Sequence, residues 1–436
     1  MLSVDSYKGV RDFFPEDIKL RNYIFSTWRK VCESFGFEEY DGPFLEPFEL
    51  FASKSGEELV NQQLYSFEDR ANRKVAIRPE MTPTVSRMAA KKMQEGYPIP
   101  IKWFSIANFY RYEKPQKGRG REFYQLNVDI FGENSVEADL ENLLLNNALM
   151  KAFNAKPEMY KIRVNNRYLL NYLFDEVVKA SEEQKLPLAK AIDTKEKVSD
   201  EDFNKVLLKL NFSQAQVAKI IELLTYKIED IKSLKNLPEQ PKQLLKLFEL
   251  IEKAGLKSIV FDPTIVRGLD YYDGNVFEQF DMTPGNNRSM FGGGRYDGLI
   301  SLFINKKVPA VGFAQGDITL TQFLKDWNLI PNFTSSINVL VTVFPNNPNC
   351  YLKSLELAQK LRGENITSEL FLDPKAELNK QIKYADKKKI PFVLIIGPDE
   401  LAKNSITVKN MLSGAQNTTS TKDIRNFINS LPPKSL

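Results

Sequence analysis

The segment "FYRYEKPQKGRGREFYQLNVDIFG", residues 109 to 132, constrains the fold more than any other part of the chain. Two runs of alternating polar and apolar residues flank a loop, and a period of two marks β-strands with one buried face. On the outgoing run Phe109, Arg111 and Glu113 share a face, while Tyr110 and Tyr112 point the other way. On the return run Gln125, Asn127 and Asp129 share a face, and Tyr124, Leu126, Val128 and Ile130 form an apolar one. The loop from Lys114 to Glu122 lets the two strands pair antiparallel. With the apolar faces in a core, Arg111, Glu113, Gln125, Asn127 and Asp129 line up on the far side. Such a row also occurs on the solvent face of an amphipathic sheet. Against that reading, amide and Asp side chains are poor strand formers. The loop also brings Lys114, Lys117, Arg119 and Arg121, with Gly118 and Gly120 allowing close backbone approach. A cation-rich flap over a patterned polar floor suits a polyanion such as a triphosphate or RNA. The pattern alone leaves a binding site and a plain surface evenly balanced.

The chemistry open to the chain is narrowed by what it lacks. Among 436 residues there is no histidine. A Ser-His-Asp triad, a Cys-His pair, an imidazole base and a histidine-bound zinc are therefore all excluded. The two cysteines, Cys32 and Cys350, lie far apart and suggest small core residues in a reducing setting rather than a disulfide framework. Reactions must run on carboxylates, arginines, tyrosines and groups the substrate supplies. A net charge of +4 does not demand a nucleic-acid partner, so any electrostatic footprint is local, as in "KPQKGRGR" or "ADKKK". No apolar run reaches the length of a membrane span and the N-terminus has no apolar signal core, so a cytoplasmic location is expected.

The apolar spacing of Ile18, Tyr23, Ile24, Trp28, Val31, Cys32 and Phe35 predicts a helix over 16–36, stopped at Gly36. Extended segments follow around Pro43 and Pro47. Strands and turns are expected over 61–131 with a helix near 82–95, and another helix over 137–153. From 170 to 256 three- and four-residue spacing with lysines between predicts a helical insertion. Strands and glycines then return, closed by a short helix at 317–327. Residues 327–336 read as a linker, and 337–436 alternate strand and helix, which predicts a separate α/β domain with a mostly parallel core.

Further short stretches carry the same polar alternation. In "IRPEMT", Arg78, Glu80 and Thr82 alternate with Ile77, Pro79 and Met81. In "VRGLDYY", Arg267 precedes Gly268, Asp270 and Tyr272. "FGGGRYDG" is glycine-rich but does not match the dinucleotide fingerprint. Each alone is more readily structural than functional.

Taken together, these motifs resemble the histidyl-tRNA synthetase family of class II aminoacyl-tRNA synthetases over essentially the whole chain. "KGVRDFFPED" is similar to the family's N-terminal segment, and "DGPFLEP" to motif 1, whose proline (here Pro43) implies a homodimer. "IRPEMT" resembles its Arg-Pro-Glu-Gly-Thr element and residues 109–132 its motif 2. "VRGLDYY" matches the histidine-specific signature, and "GGRYDGL" with "PAVGFAQG" resembles the run into motif 3. The implied fold is α+β: a class II catalytic domain over 1–326, an antiparallel sheet flanked by helices and interrupted by the insertion at 170–256. An α/β anticodon-binding domain at 337–436 would follow.

The resemblance implies that ATP and L-histidine form histidyl-adenylate, and that the histidyl group then passes to the 3′ end of tRNA-His. That chemistry needs alignment and cations near phosphorus, not a protein nucleophile. It implies that Arg111 contacts the α-phosphate, Glu113 the adenine amine and Arg119 the phosphates, with Gln116 near the acceptor end. Glu80, Thr82 and Gln125 would hold the amino acid's ammonium and carboxylate. Asp129 and Tyr272 would bracket the imidazole, Tyr296 would close the pocket, and Arg267 would stabilise the transition state. Mg2+ would arrive with ATP, with no dedicated protein metal site.

The sequence departs from the family in three places. Gly316-Asp317-Ile318-Thr319-Leu320 stands where motif 3 usually reads Gly-Leu-Glu-Arg-Leu, and no arginine occurs between Arg295 and Arg362. Arg295, Lys306 or a loop cation would have to take that arginine's place. Asp129 stands where many relatives have glutamate, and Tyr112 and Tyr124 where histidines are common. Three other readings remain open on the motifs. The first is a catalytically impaired, histidine-binding regulatory paralogue of ATP phosphoribosyltransferase. The others are a class II synthetase for proline or threonine, and an RNA-binding protein that keeps only the scaffold.

Overall fold

The computed structural model describes residues 2–53, 59–114, 118–266, 272–286 and 289–420. The chain divides into two compact units, residues 1–330 and 331–436.

The first unit is organised by an eight-stranded sheet. Its spatial order is Glu38–Glu39, Ile101–Tyr110, Glu122–Phe131, Ala310–Gly316, Ser289–Arg295, Asn275–Asp281, Tyr160–Asn166 and Ile259–Phe261. The six central strands pair antiparallel, and the two short edge strands pair parallel with their neighbours. Register sets which residues share a face, because directly opposed residues point the same way. Asp129 is opposed by Trp103 and Gly312, Asn127 by Ser105 and Ala314, and Gln125 by Ala107 and Gly316. The other face carries Phe104, Leu126, Val128, Ile130, Val311 and Phe313, all buried in one core with the helices.

The helix Pro15–Ser34 shows how the sequence dresses that core. Pro15 sits in the first turn with Glu16 and Asp17, a favourable start for a helix. Ile24, Trp28 and Cys32 recur every fourth residue and are buried against the sheet. Trp28 Nε1 donates to Gln315 Oε1 at 2.7 Å, which satisfies two buried polar groups at once. The chain leaves the helix through Gly36 at φ +74°, a conformation that favours glycine.

The helices Arg167–Leu173, Glu182–Asp193, Asp200–Lys209, Gln214–Leu223, Ile228–Ser233 and Glu239–Lys253 occupy the segment read as an insertion. Ser213 caps one of them reciprocally: its Oγ accepts from Gln216 N at 3.3 Å while Gln216 Oε1 accepts from Ser213 N at 3.0 Å. Leu188, Phe203, Leu207, Ile220, Leu244 and Leu247 are buried in the same core as the sheet's apolar face. A small separate sheet pairs Leu45–Pro47 and Ser66–Glu68 with Lys74–Ile77. No helix among the described residues is long and apolar enough to cross a membrane.

In the second unit the strands lie in the order Ser368–Leu370, Val339–Val341, Phe392–Ile395, Ser405–Asn410, Gln416–Ser420. The expectation of a mostly parallel core needs correction. Two pairings are parallel and two antiparallel. The last two strands form a hairpin whose turn uses Gly414 at φ +73°, and Gly414 N donates to Asn410 O at 2.9 Å. Short apolar runs do not by themselves report strand direction.

Gly293 lies where two strands press closest to an aromatic cluster. A Cβ there would stand 2.6 Å from the Phe277 ring and 2.7 Å from Phe313 Cβ. Gly293→Ala is expected to destabilise the fold by about 1–3 kcal/mol through overpacking, read as a lower midpoint in denaturant. An unchanged midpoint would mean the strands can part without cost.

Candidate active site

The polar face of the sheet is not open surface. It forms the floor of a small pocket of about 90 Å³ lined by Glu80, Thr82, Arg111, Gln125, Asn127, Asp129, Tyr272 and Tyr296. Gly292, Gly312 and Ala314 complete the floor. Small residues are required there by contact: a Cβ on Gly312 would overlap the Asp129 carboxylate and the Val128 carbonyl. Asp129 is 4% exposed, and the Tyr296 hydroxyl donates to its Oδ1. Burial pushes the Asp129 pKa up to about 7, and the Tyr296 hydrogen bond partly opposes the rise. The Tyr272 and Tyr296 rings lie 6.4 Å apart, so two phenols and a carboxyl group meet at one end of the pocket.

The pocket opens into a cleft of about 970 Å³. Arg111, Gln125, Gly292 and Ala314 line both and so stand at the junction. Arg111 Nε donates to Pro79 O at 2.9 Å, and its guanidinium lies 5.2 Å from the Phe123 ring centroid. Backbone and ring aim the remaining donors at the junction. Glu113 and Arg119 form an ion pair at 3.2 Å on the cleft wall. The loop stem is strapped by the N-terminal segment: Arg121 N donates to Gly9 O at 2.7 Å and Arg121 Nη1 to the Tyr7 hydroxyl at 2.8 Å.

Several sequence expectations are corrected by this geometry. The outgoing strand ends at Tyr110, so Arg111 and Glu113 reach the site from an irregular segment and not from a shared strand face. Phe109, expected beside them, is fully buried in the apolar cluster that also holds Met81 and Val85. "IRPEMT" is not one alternating strand. The strand Lys74–Ile77 ends at its first residue, and Arg78 turns away to Asn108 O at 2.9 Å and Gly42 O at 2.8 Å. Glu80 and Thr82 enter the pocket because the chain turns into the helix Thr82–Gln94. Arg295 cannot replace the missing motif 3 arginine. It is buried, pairs with Asp139 at 2.7 Å and donates to the carbonyl of Glu133 at 3.2 Å. Lys306 is exposed and lines neither cavity, whereas the loop cation Arg119 lines the cleft. Arg267 and Gln116 lie outside the described residues.

The structure also adds residues the sequence reading passed over. Ile192, Asp193, Glu196 and Lys197 of the insertion line the cleft, as do Ile318 and Thr319 of the motif 3 helix. Asp317, standing in the divergent motif 3, accepts from Tyr124 N and from Arg11 Nη2, both at 2.8 Å. It thereby ties the helix start to the return strand and to "KGVRD". No local pattern marks these residues, because each reaches the site from an element distant in sequence.

Comparison with known proteins accords with this arrangement. The family model described as "Histidyl-tRNA synthetase" matches residues 9–316, and "Anticodon binding domain" matches residues 340–431. The chain belongs to the histidyl-tRNA synthetase family. Its curated relatives include the histidine–tRNA ligase of Leptospira biflexa, 43% identical over 96% of this chain and 95% of that protein. The histidine–tRNA ligase of Opitutus terrae is 36% identical over 94% of each. Among solved structures, histidyl-tRNA synthetase from Nostoc sp. PCC 7120 superposes with a TM-score of 0.82 at 25% identity, covering 98% of this chain and 99% of that one. The fold is therefore that of a class II synthetase of the histidyl family, with a mixed sheet in the catalytic part.

Two expected outcomes follow from the site. The folded state holds the Asp129 proton more tightly than the unfolded chain, so stability declines as pH rises from about 4 towards about 7 and is flat above. Asp129→Asn is then expected to stabilise the ligand-free protein at pH 8, by at most about 4 kcal/mol, with the gain fading by pH 4. Thermal melts at both pH values check it; a gain that does not depend on pH would contradict the assignment. Tyr112 is exposed under Arg121, and Tyr124 packs on Phe13 and Phe25 behind the sheet; neither lines a cavity. Restoring histidine at both positions is expected to leave the aminoacylation rate nearly unchanged.

Proposed function

We infer that this chain is a histidine–tRNA ligase that activates L-histidine with ATP and esterifies the product to tRNA-His. The observation that carries the reading is the junction: a small pocket with an imidazole-sized polar end meets a nucleotide-sized cleft at Arg111 and Gln125. In this reading histidine lies in the pocket with its ammonium near Glu80 and Thr82. Its imidazole lies between Asp129, Tyr272 and Tyr296, and its carboxylate points at the junction. ATP lies in the cleft, its adenine near Glu113 and its phosphates near Arg111 and Arg119. A carboxylate oxygen attacks the α-phosphorus and pyrophosphate leaves. The terminal ribose hydroxyl of tRNA then attacks the adenylate carbonyl and AMP leaves. Alignment across the junction supplies proximity, and the arginines stabilise charge as it builds on phosphorus. Arg267 is proposed to add its charge there.

Magnesium carried on the triphosphate would neutralise part of its charge. A cytoplasmic homodimer is proposed on the family's motif 1 pattern around Pro43. The exposed Phe44, Leu45 and Phe67 beside it accord with a surface covered by a second copy. The regulatory-paralogue reading is disfavoured by the anticodon-binding match at residues 340–431 and by relatives similar along both units.

Histidine-dependent ATP–pyrophosphate exchange tests the reading, with proline and threonine as controls. Exchange absent at high enzyme concentration would favour the regulatory reading, and exchange with another amino acid would reassign the substrate. Arg267→Ala is expected to slow adenylate formation by about 100-fold or more while changing histidine binding far less. Equal losses in rate and binding would remove Arg267 from its proposed role.

A further inference from the structure

The cleft lacks the cation that motif 3 usually supplies. Thr319 stands at that arginine's place, and its hydroxyl is turned back on the protein, towards Met290 O at 3.3 Å and Gly316 O at 3.2 Å. Two other elements line the same cleft. One is the end of the cationic loop, Gly118, Arg119 and Gly120, and the other is the start of the last helix, Gly316, Ile318 and Thr319. Both are fastened from outside by one short stretch, Tyr7 to Arg11, which lines neither cavity. Gly9 O accepts from Arg121 N at 2.7 Å and from Glu122 N at 3.3 Å, where the loop returns to the sheet. Tyr7 grips Arg121 as well. Arg121 Nη1 donates to the Tyr7 hydroxyl at 2.8 Å, and the guanidinium lies 5.3 Å from the Tyr7 ring centroid and 4.2 Å from that of Tyr112.

Two residues on, Arg11 Nη2 meets Asp317 Oδ2 at 2.8 Å. The Asp317 side chain is 5% exposed, and its other oxygen accepts from Tyr124 N. Burial raises its pKa, and Arg11 opposes the rise. A charge-assisted bond of this kind is among the stronger polar contacts, and removing the cation leaves a buried carboxylate uncompensated. Strap, loop and helix touch at Gly120. A Cβ built there would stand 3.2 Å from Gly9 O and 3.3 Å from Ile318 Cδ1. The three are thus packed with no slack, so a shift of one is felt by the other two.

We propose that Arg11 and Tyr7 are positioning residues for ATP, which fix the cationic loop against the last helix from behind the cleft. The proposal deepens the ligase reading above and rests on it. Each residue acts through another, Arg11 through Asp317 and Tyr7 through Arg121, and the cleft they shape is the one assigned to the nucleotide. The histidine pocket is set instead by strand register and by its glycine floor. Loosening the strap is therefore expected to separate the two substrates.

The experiment is histidine-dependent pyrophosphate exchange, reading KM for ATP and KM for histidine separately in wild type, Arg11→Gln, Arg11→Lys and Tyr7→Phe. Arg11→Gln is expected to raise KM for ATP about 10-fold and KM for histidine by less than about 2-fold. Arg11→Lys keeps the charge and should recover part of the loss, since the contact uses one N–H. Tyr7 is exposed, and Tyr7→Phe removes only its hydroxyl, so this variant is the independent arm if Arg11→Gln folds poorly. It should raise the same KM about 2- to 3-fold. Thermal melts of each variant show what a merely structural role would do. A lower midpoint with both KM values unchanged, equal rises in both KM values, or no recovery by lysine would overturn the inference and leave the ligase reading intact. Absence of exchange in wild type would instead remove the reading beneath it.

Discussion

An antiparallel pairing that puts different residue classes on its two faces is the constraint from which the catalytic unit follows. The strand Glu122–Phe131 sits between Ile101–Tyr110 and Ala310–Gly316. Its even-numbered residues Leu126, Val128 and Ile130 are committed to the core by the hydrophobic effect. That commitment leaves Gln125, Asn127 and Asp129 on the other face, since a slip of one residue would bury the polar set and expose the apolar one. The neighbouring strand answers with Gly312, Ala314 and Gly316 at the opposed positions, so the polar side chains stand over a low floor. The site is thus a by-product of register. The same pairing that seals the core aims the polar groups.

Chemistry and composition agree in this molecule. A chain without histidine has no side chain whose ordinary pKa lies near neutrality. Burial supplies one such group in Asp129 instead, raised to about 7 where a carboxyl would otherwise stay ionised. Acyl-phosphate formation and ester transfer take their nucleophiles from the substrates, so the protein's part is orientation and charge. In the proposed reading both are concentrated where Arg111 is fixed by the Pro79 carbonyl at the meeting of pocket and cleft.

The divergent motif 3 shows how a missing side chain redistributes structural work. The buried Arg295 is occupied with Asp139 and the carbonyls of Glu133 and Ser135, which pins the end of the glycine strand just before Tyr296. Asp317 joins the N-terminal segment and the return strand to the last helix of the unit. The helical segment 170–256 is equally integrated. Its helices share the sheet's core, and its Ile192 to Lys197 turn forms part of the cleft wall.

The sequence by itself determined the features governed by local periodicity and by chain composition. The 3.6-residue stripe of Ile24, Trp28 and Cys32 announces a helix with one buried face. The alternation from Gln125 to Asp129 announces the polar face, and the empty histidine column excludes whole classes of catalysis. What local pattern could not carry was where strands stop and which distant residues meet. Arg111 looked like a strand residue because the alternation continues past Tyr110, although the regular strand ends there and only the bond from Arg111 N to Arg121 O carries the pairing one step further. Arg78 shared the alternation of Glu80, yet its charge is taken by carbonyls of other segments. Gly292, Gly312 and Lys197 come together only by tertiary packing. Burial and hydrogen bonding between segments far apart in sequence depend on the whole chain's closure, which no window of neighbouring residues encodes.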